Sequence, residues 1–119
     1  MTDFKELMDK GAEHCKNGEF DEALKCYNKA IEINPYDDKL FSAIGKAYYG
    51  KKDYKKAAEF YERSIELNPS CHYRRYTWLG NSYHYLKDYS NAIKQYEKVI
   101  KINPTHYTAY SNMGNRIMD

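Results

Sequence analysis

The sequence is poor in the residues that would announce chemistry. Its three cysteines, Cys15, Cys26 and Cys71, form no Cys-x-x-Cys or other spaced pair. That excludes a disulfide framework and a zinc ribbon, and fits free thiols in a reducing compartment. There is no Gly-rich phosphate loop and no His-Glu-x-x-His, so neither nucleotide chemistry nor a metalloprotease centre is expected. Cys71-His72 with His84 or His106 is the one metal-like grouping, and four ligands cannot be assembled from its spacing. No metal and no cofactor are expected. Charge of one sign is also lacking: the net charge is +2 over 119 residues, which provides no global field for nucleic acid or a membrane surface. Tyr73-Arg74-Arg75-Tyr76 mixes basic and aromatic residues as RNA binders do, but it is short and isolated, so nucleic acid is not an expected partner. No apolar run approaches the ~20 residues that span a bilayer, so no membrane is expected either. The start, MTDFKELMDKG, is too charged for a secretory signal, and a cytoplasmic home follows as the expectation.

Proline is scarce too, and its placement is informative. Pro35, Pro69 and Pro104 each follow an Asn, at steps of 34 and 35 residues. Aligned on them, three stretches repeat: LMDKGAEHCKNGEFDEALKCYNKAIEINP, FSAIGKAYYGKKDYKKAAEFYERSIELNP and YTWLGNSYHYLKDYSNAIKQYEKVIKINP. Each carries a Gly (Gly11, Gly45, Gly80), then an Ala (Ala23, Ala57, Ala92), then a Tyr four residues on (Tyr27, Tyr61, Tyr96). The period and the pattern resemble the tetratricopeptide repeat, a helix–turn–helix unit with W-x2-L-G-x2-Y, A-x3-F and a terminal Pro. The resemblance covers almost the whole chain. It implies an all-α, right-handed α-solenoid of about seven helices, with repeats at 4–37, 38–72 and 73–106 and, at 107–119, the first helix of a fourth repeat or a capping helix.

The residues themselves place the helices. Each first helix (A) should run over 4–16, 38–50 and 72–86, and each second helix (B) over 20–33, 54–67 and 89–102. Asn17-Gly18 breaks the first pair, because Gly readily takes the left-handed conformation. Each Asn-Pro ends a B helix, since Pro cannot continue the hydrogen-bond ladder. Thr2 or Asp3, Asp53, Ser70, Asp88 and Thr105 are the expected N-caps. At ~100° per residue, Tyr76, Leu79, Gly80 and Tyr83 share a face, as do Phe41, Ile44, Gly45 and Tyr48. Gly and Ala let the two helices of a repeat approach closely, and the aromatics fill the space beside that crossing. Several of the 14 tyrosines are accounted for in this way. One extra residue lies between Pro69 and Gly80, which lengthens the turn between repeats two and three.

In the family the A helices line a concave groove that takes extended peptides. Side chains opposite the packing face point into it, among them Lys39, Lys46, Tyr49, Arg74, Trp78, Asn81, Tyr85 and Asn115. Over all inward positions there are five cations (Lys5, Lys16, Lys39, Lys46, Arg74) and one acid, Asp9. The segregation points to an acidic or C-terminal-carboxylate ligand. The family's clamp for chaperone tails maps onto Met8, Ala12, Ala43, Arg74 and Trp78, and only Arg74 matches, so that particular grip is not expected. The resemblance thus implies a non-catalytic adaptor that binds a protein or peptide. The alternatives are a regulatory module of a longer enzyme or signalling protein, and an array that self-associates through its C-terminal helix. In that helix Tyr110, Met113, Gly114 and Ile117 keep an apolar face.

Overall fold

The computed structural model describes residues 3–103, and among these the chain is all helix. Six helices follow one another: α1 (Phe4–Lys16), α2 (Phe20–Ile33), α3 (Asp38–Gly50), α4 (Tyr54–Leu67), α5 (Tyr73–Tyr85) and α6 (Tyr89–Ile102). The seventh helix, its Thr105 cap and Asn115 lie outside the described residues.

Local chemistry sets the ends. Asp3, Asp37, Asp53 and Asp88 each accept a hydrogen bond from the backbone N–H three residues on, at 2.8, 2.9, 3.3 and 3.4 Å, which satisfies one of the free donors of a first helical turn. The expected Ser70 cap is a correction. His72 caps α5 instead, its Nδ1 accepting from the Arg74 N–H at 3.1 Å. The extra residue after Pro69 carries the chain past Ser70 before the helix begins, so α5 starts four residues after its proline where α3 starts three after Pro35. The A–B turns each contain one left-handed residue, at equivalent positions: Gly18 (φ 79°), Lys52 (φ 66°) and Lys87 (φ 64°).

Consecutive helices pack in series, and α3 also touches α1 on one side and α5 on the other. The A helices therefore stand on the inside of the curve, and their outward faces form the concave wall. Between A and B of each repeat sits a tyrosine, Tyr27, Tyr61 or Tyr96, at most 2% exposed. Each ring lies directly against the repeat's glycine. A Cβ added at Gly11, Gly45 or Gly80 would come within 2.3, 3.1 or 2.7 Å of it, so the ring occupies the place of the missing side chain. Ala23, Ala57 and Ala92, all fully buried, allow the same close crossing from the other helix. The core runs along the stack as three clusters, around Leu7, Leu24, Leu40 and Ile44, around Tyr61 and Leu79, and around Tyr96 and Val99, with the partly buried Tyr48, Ile65 and Tyr83 packed between neighbouring clusters.

Candidate functional site

The helix phase that buries Ile44 and Gly45 on α3, and Leu79 and Gly80 on α5, turns the opposite faces of both helices toward the concave side. There a groove of about 400 Å³ opens between them, lined by Lys39, Ser42, Ala43, Lys46, Tyr61, His72, Arg74, Arg75 and Trp78. Four of the residues expected from sequence, Lys39, Lys46, Arg74 and Trp78, thus meet in one place. Lys39, Lys46, Arg74 and Trp78 are exposed, Trp78 at 37%.

Three cations of the groove are uncompensated. The ion pairs among the described residues are His14–Glu19, Lys25–Glu22, Lys51–Asp21 and Arg75–Asp38; none engages Lys39, Lys46 or Arg74. Arg75 is different from its neighbour. Its guanidinium is held by Asp38 at the start of α3, which also accepts from Asn68 Nδ2 at 3.2 Å. Burial pushes the Asp38 carboxyl up, but the hydrogen bonds from Arg75 and Asn68 and the Arg75 charge outweigh it and hold it below the ordinary value. Arg75 therefore builds the junction between repeats, while Arg74 stands free on the wall.

The cations follow a rule. Lys5, Lys39 and Arg74 are each the second residue of an A helix, one per repeat at equivalent positions. A cation there faces the positive end of the helix dipole, which costs stability. Three helix N-termini and three cations then present the same sign along one edge of the wall. Lys46 stands farther in, close enough to Cys15 on α1 for its charge to act on that thiol; burial nevertheless keeps the Cys15 thiol above its ordinary value.

Toward the C-terminal ends of α3 and α5 the groove becomes aromatic. Tyr49 lies edge-on to Trp78, Tyr54 and Tyr85, with centroids at 5.0, 5.3 and 6.1 Å, and Tyr54 stacks on Tyr85 at 4.5 Å. Such offset and edge contacts hold the rings in place. Burial, with the adjacent Tyr85 and Tyr54, pushes the Tyr49 phenol far above its ordinary value, so it stays neutral. Trp78 and Tyr85 (55% exposed) keep free surface. Tyr49, Trp78 and Tyr85 were expected from sequence; Tyr54, the first residue of α4, was not, because it reads as one more packing aromatic. Asn81 is half-buried and its Oδ1 accepts from the Tyr96 hydroxyl at 2.6 Å, so this side chain serves at least partly to orient the core tyrosine. Asn115 lies outside the described residues. Among those residues no three His, Cys, Asp or Glu side chains gather as metal ligands, and no helix is long and apolar enough to cross a membrane.

This arrangement offers an extended, open, cationic surface with an aromatic border. The comparisons with known proteins agree with the architecture. The family model described as "TPR repeat" matches residues 11–52, and the one described as "Tetratricopeptide repeat" matches 39–71 and 73–106. Anaphase-promoting complex subunit 3 of Schizosaccharomyces pombe is 38% identical over 66 residues, 56% of this chain and 10% of that protein. RNA polymerase II-associated protein 3 of Homo sapiens is 33% identical over 64 residues, 54% of this chain and again 10% of that one. The match thus spans about a tenth of the length of these curated relatives. Among solved structures, the first TPR of Spaghetti (RPAP3) bound to the HSP90 peptide SRMEEVD superposes with a TM-score of 0.88 at 28% identity, covering 94% of this chain and 88% of that one. The crystal structure of MamA has the same fold, with a TM-score of 0.88 at 24% identity over 93% of this chain and 64% of that one.

Proposed function

Since the chain belongs to the tetratricopeptide repeat family, we propose that it is a non-catalytic adaptor whose concave groove binds an extended acidic segment, or an acidic C-terminus, of a partner protein. One observation carries this reading. Lys39 and Arg74, with Lys5 before them, sit unpaired at a helix end where stability disfavours a cation. Cations retained against the dipole are explained by an anion that visits them. The RPAP3 domain bound to SRMEEVD supports the same ligand class. The grip would differ, because of the five clamp positions only Arg74 carries the family's basic or amide residue. Lys39, Lys46 and Arg74 supply charge in this reading, Asn81 and Asn115 backbone hydrogen bonds, and Tyr49, Trp78 and Tyr85 contact area.

A second reading, in which the array is a regulatory module of a longer enzyme or signalling protein, is favoured by the curated relatives, where the matched segment is a small part of the whole. The groove would work in the same way there.

Trp78, the single tryptophan, reports on the groove directly. In the free protein its emission should be red-shifted and quenchable by a neutral quencher; an acidic peptide should protect it and shift emission to the blue. Affinity should fall with salt, since partly exposed charges are screened over ~8 Å at physiological ionic strength. Arg74→Glu should weaken binding more than Lys5→Glu, because Asp9, one turn after Lys5, already repels an anion there. Binding that is indifferent to salt and to Arg74→Glu would overturn the reading.

A further inference from the structure

The groove has two unlike edges, and their separation defines a pattern for the ligand. Lys39 and Arg74 lie one residue into α3 and α5, whereas Tyr49 and Tyr85 lie at the other ends. With a rise of 1.5 Å per residue, ten or eleven residues of helix put the two edges ~15 Å apart. A ligand that follows the concave wall crosses α1, α3 and α5 in turn, so its chain runs between these edges and parallel to both. An extended chain sends successive side chains to opposite sides. A residue reaching the cationic edge is therefore followed by one reaching the aromatic edge, and the next returns to the cations.

We propose that the groove selects a segment in which two acidic residues flank one large apolar residue, rather than a simple acidic run. This inference rests on the groove being the ligand site, as argued above, and concerns which acidic segment it takes. Residues two apart on one side of an extended chain are ~7 Å apart. Neighbouring helices pack at 8–10 Å, so the flexible Lys39 and the longer Arg74 side chain can each meet one acid. The apolar residue between the acids meets the faces of Trp78 and Tyr85, which are exposed although their neighbours Tyr49 and Tyr54 hold them in position. Lys46 stands between the two edges, where the ligand's backbone carbonyls would pass.

Three seven-residue peptides in a Ser/Gly background, labelled for fluorescence anisotropy, test this. One carries Glu-Phe-Glu at its centre, one the isomer Phe-Glu-Glu, and one Glu-Ser-Glu. The expected result is that Glu-Phe-Glu binds about ten-fold tighter than either of the others, the size of effect produced by taking a large side chain partly out of water. Tyr85→Ser and Trp78→Ala should each erase that advantage, bringing Glu-Phe-Glu down to the affinity of Glu-Ser-Glu for the same variant. Arg74→Glu should weaken all three. Unaltered helical circular dichroism and thermal midpoint in Tyr85→Ser, whose side chain is more than half exposed, would show that loss of discrimination is not loss of fold. Equal affinity for the two isomers, or full discrimination in Tyr85→Ser, would overturn the alternating pattern and leave the acidic groove standing. Failure of all three peptides to bind would overturn both.

Discussion

The two junctions between repeats solve the same packing problem with different chemistry. Where repeat one meets repeat two, Ala30 of α2 and Leu40 of α3 are fully buried, and Phe4 packs partly buried against the same cluster. At the equivalent positions of the next junction the chain has Ser64, Arg75 and Asp38. There the Ser64 hydroxyl donates to the Asp38 carbonyl at 2.7 Å, while the Asp38 carboxylate takes Arg75 and Asn68. The first junction is held by area removed from water and tolerates small shifts. The second is held by directed bonds, so the relative placement of α3 and α5 is tied to one geometry. Those two helices form the groove, which suggests why fixed geometry is found at this junction. A polar network of this kind stabilises little over an apolar one of the same shape, yet losing one member is costly because the other stays partly buried and unpaired.

The largest expected effect is at the apolar junction. Leu40→Ala should cost ~3 kcal/mol or more, as a fully buried leucine leaves a cavity. Arg75→Ala should cost less, ~1–2 kcal/mol, since the Arg75 and Asp38 side chains retain 14% and 24% exposure and solvent partly screens the pair. Denaturant midpoints would rank them, and the reverse order would break the comparison. Remaking the second junction in the image of the first, with Asp38→Phe, Ser64→Ala and Arg75→Leu together, should be neutral or stabilising. A triple variant less stable than Arg75→Ala alone would show that the polar junction is the better packed of the two.

Acid should separate the junctions next. The folded Asp38 carboxyl is held below its ordinary value of 3.8, so its contribution is present above that value and is lost as pH falls through the folded one. Unfolding free energies at pH 6 and pH 3 should therefore converge between the protein and its Asp38→Asn variant as pH falls. A difference that stays constant would mean that the carboxylate's charge is not what the network uses.

Much of this molecule was legible in its sequence, and the failures have physical causes. The helix bounds follow from Asp caps, a turn glycine and Asn-Pro stops, all of which act within four residues and need no tertiary information. Ser70 was misread as a cap because an inserted residue moves the helix start beyond it, and a histidine performs that role only through one ring nitrogen. The Asp38 network joins residues up to 37 apart and has no counterpart in the other junction, so no period reveals it. The cationic wall was readable because helical phase alone decides it; the support that Tyr54 gives to Tyr85 required knowing how the end of α3 meets the start of α4.

A smaller difference lies in the turns. Gly18 occupies the left-handed position of repeat one at little cost, whereas Lys52 and Lys87 hold the same conformation with a side chain, at ~1–2 kcal/mol each. Glycine adds conformational freedom to the unfolded chain, which takes back ~0.5–1 kcal/mol. Lys52→Gly and Lys87→Gly should each raise stability by ~0.5 kcal/mol, and Gly18→Lys should lower it by a similar amount. Thermal midpoints of the three variants would detect this, and a loss on Lys52→Gly would show that its side chain makes a compensating contact.

The smallest effect concerns what the repeats share. Glutamate in the first turn favours the helix dipole by a few tenths of a kcal/mol, and lysine or arginine in the same place opposes it. Lys39→Glu and Arg74→Glu should therefore leave the fold unchanged or slightly more stable, and more so at low salt, where the dipole interaction is least screened. Lys5→Glu should gain less, because the new carboxylate would stand one turn before Asp9 and repel it. The same reversals should weaken binding of an acidic peptide, Arg74→Glu most of all. Stability and binding would then move in opposite directions at one atom position in successive repeats, the signature of a side chain kept for its ligand. If Lys39→Glu and Arg74→Glu both destabilise the fold at low salt, the cations contribute to the wall itself, and their placement does not mark an anionic partner.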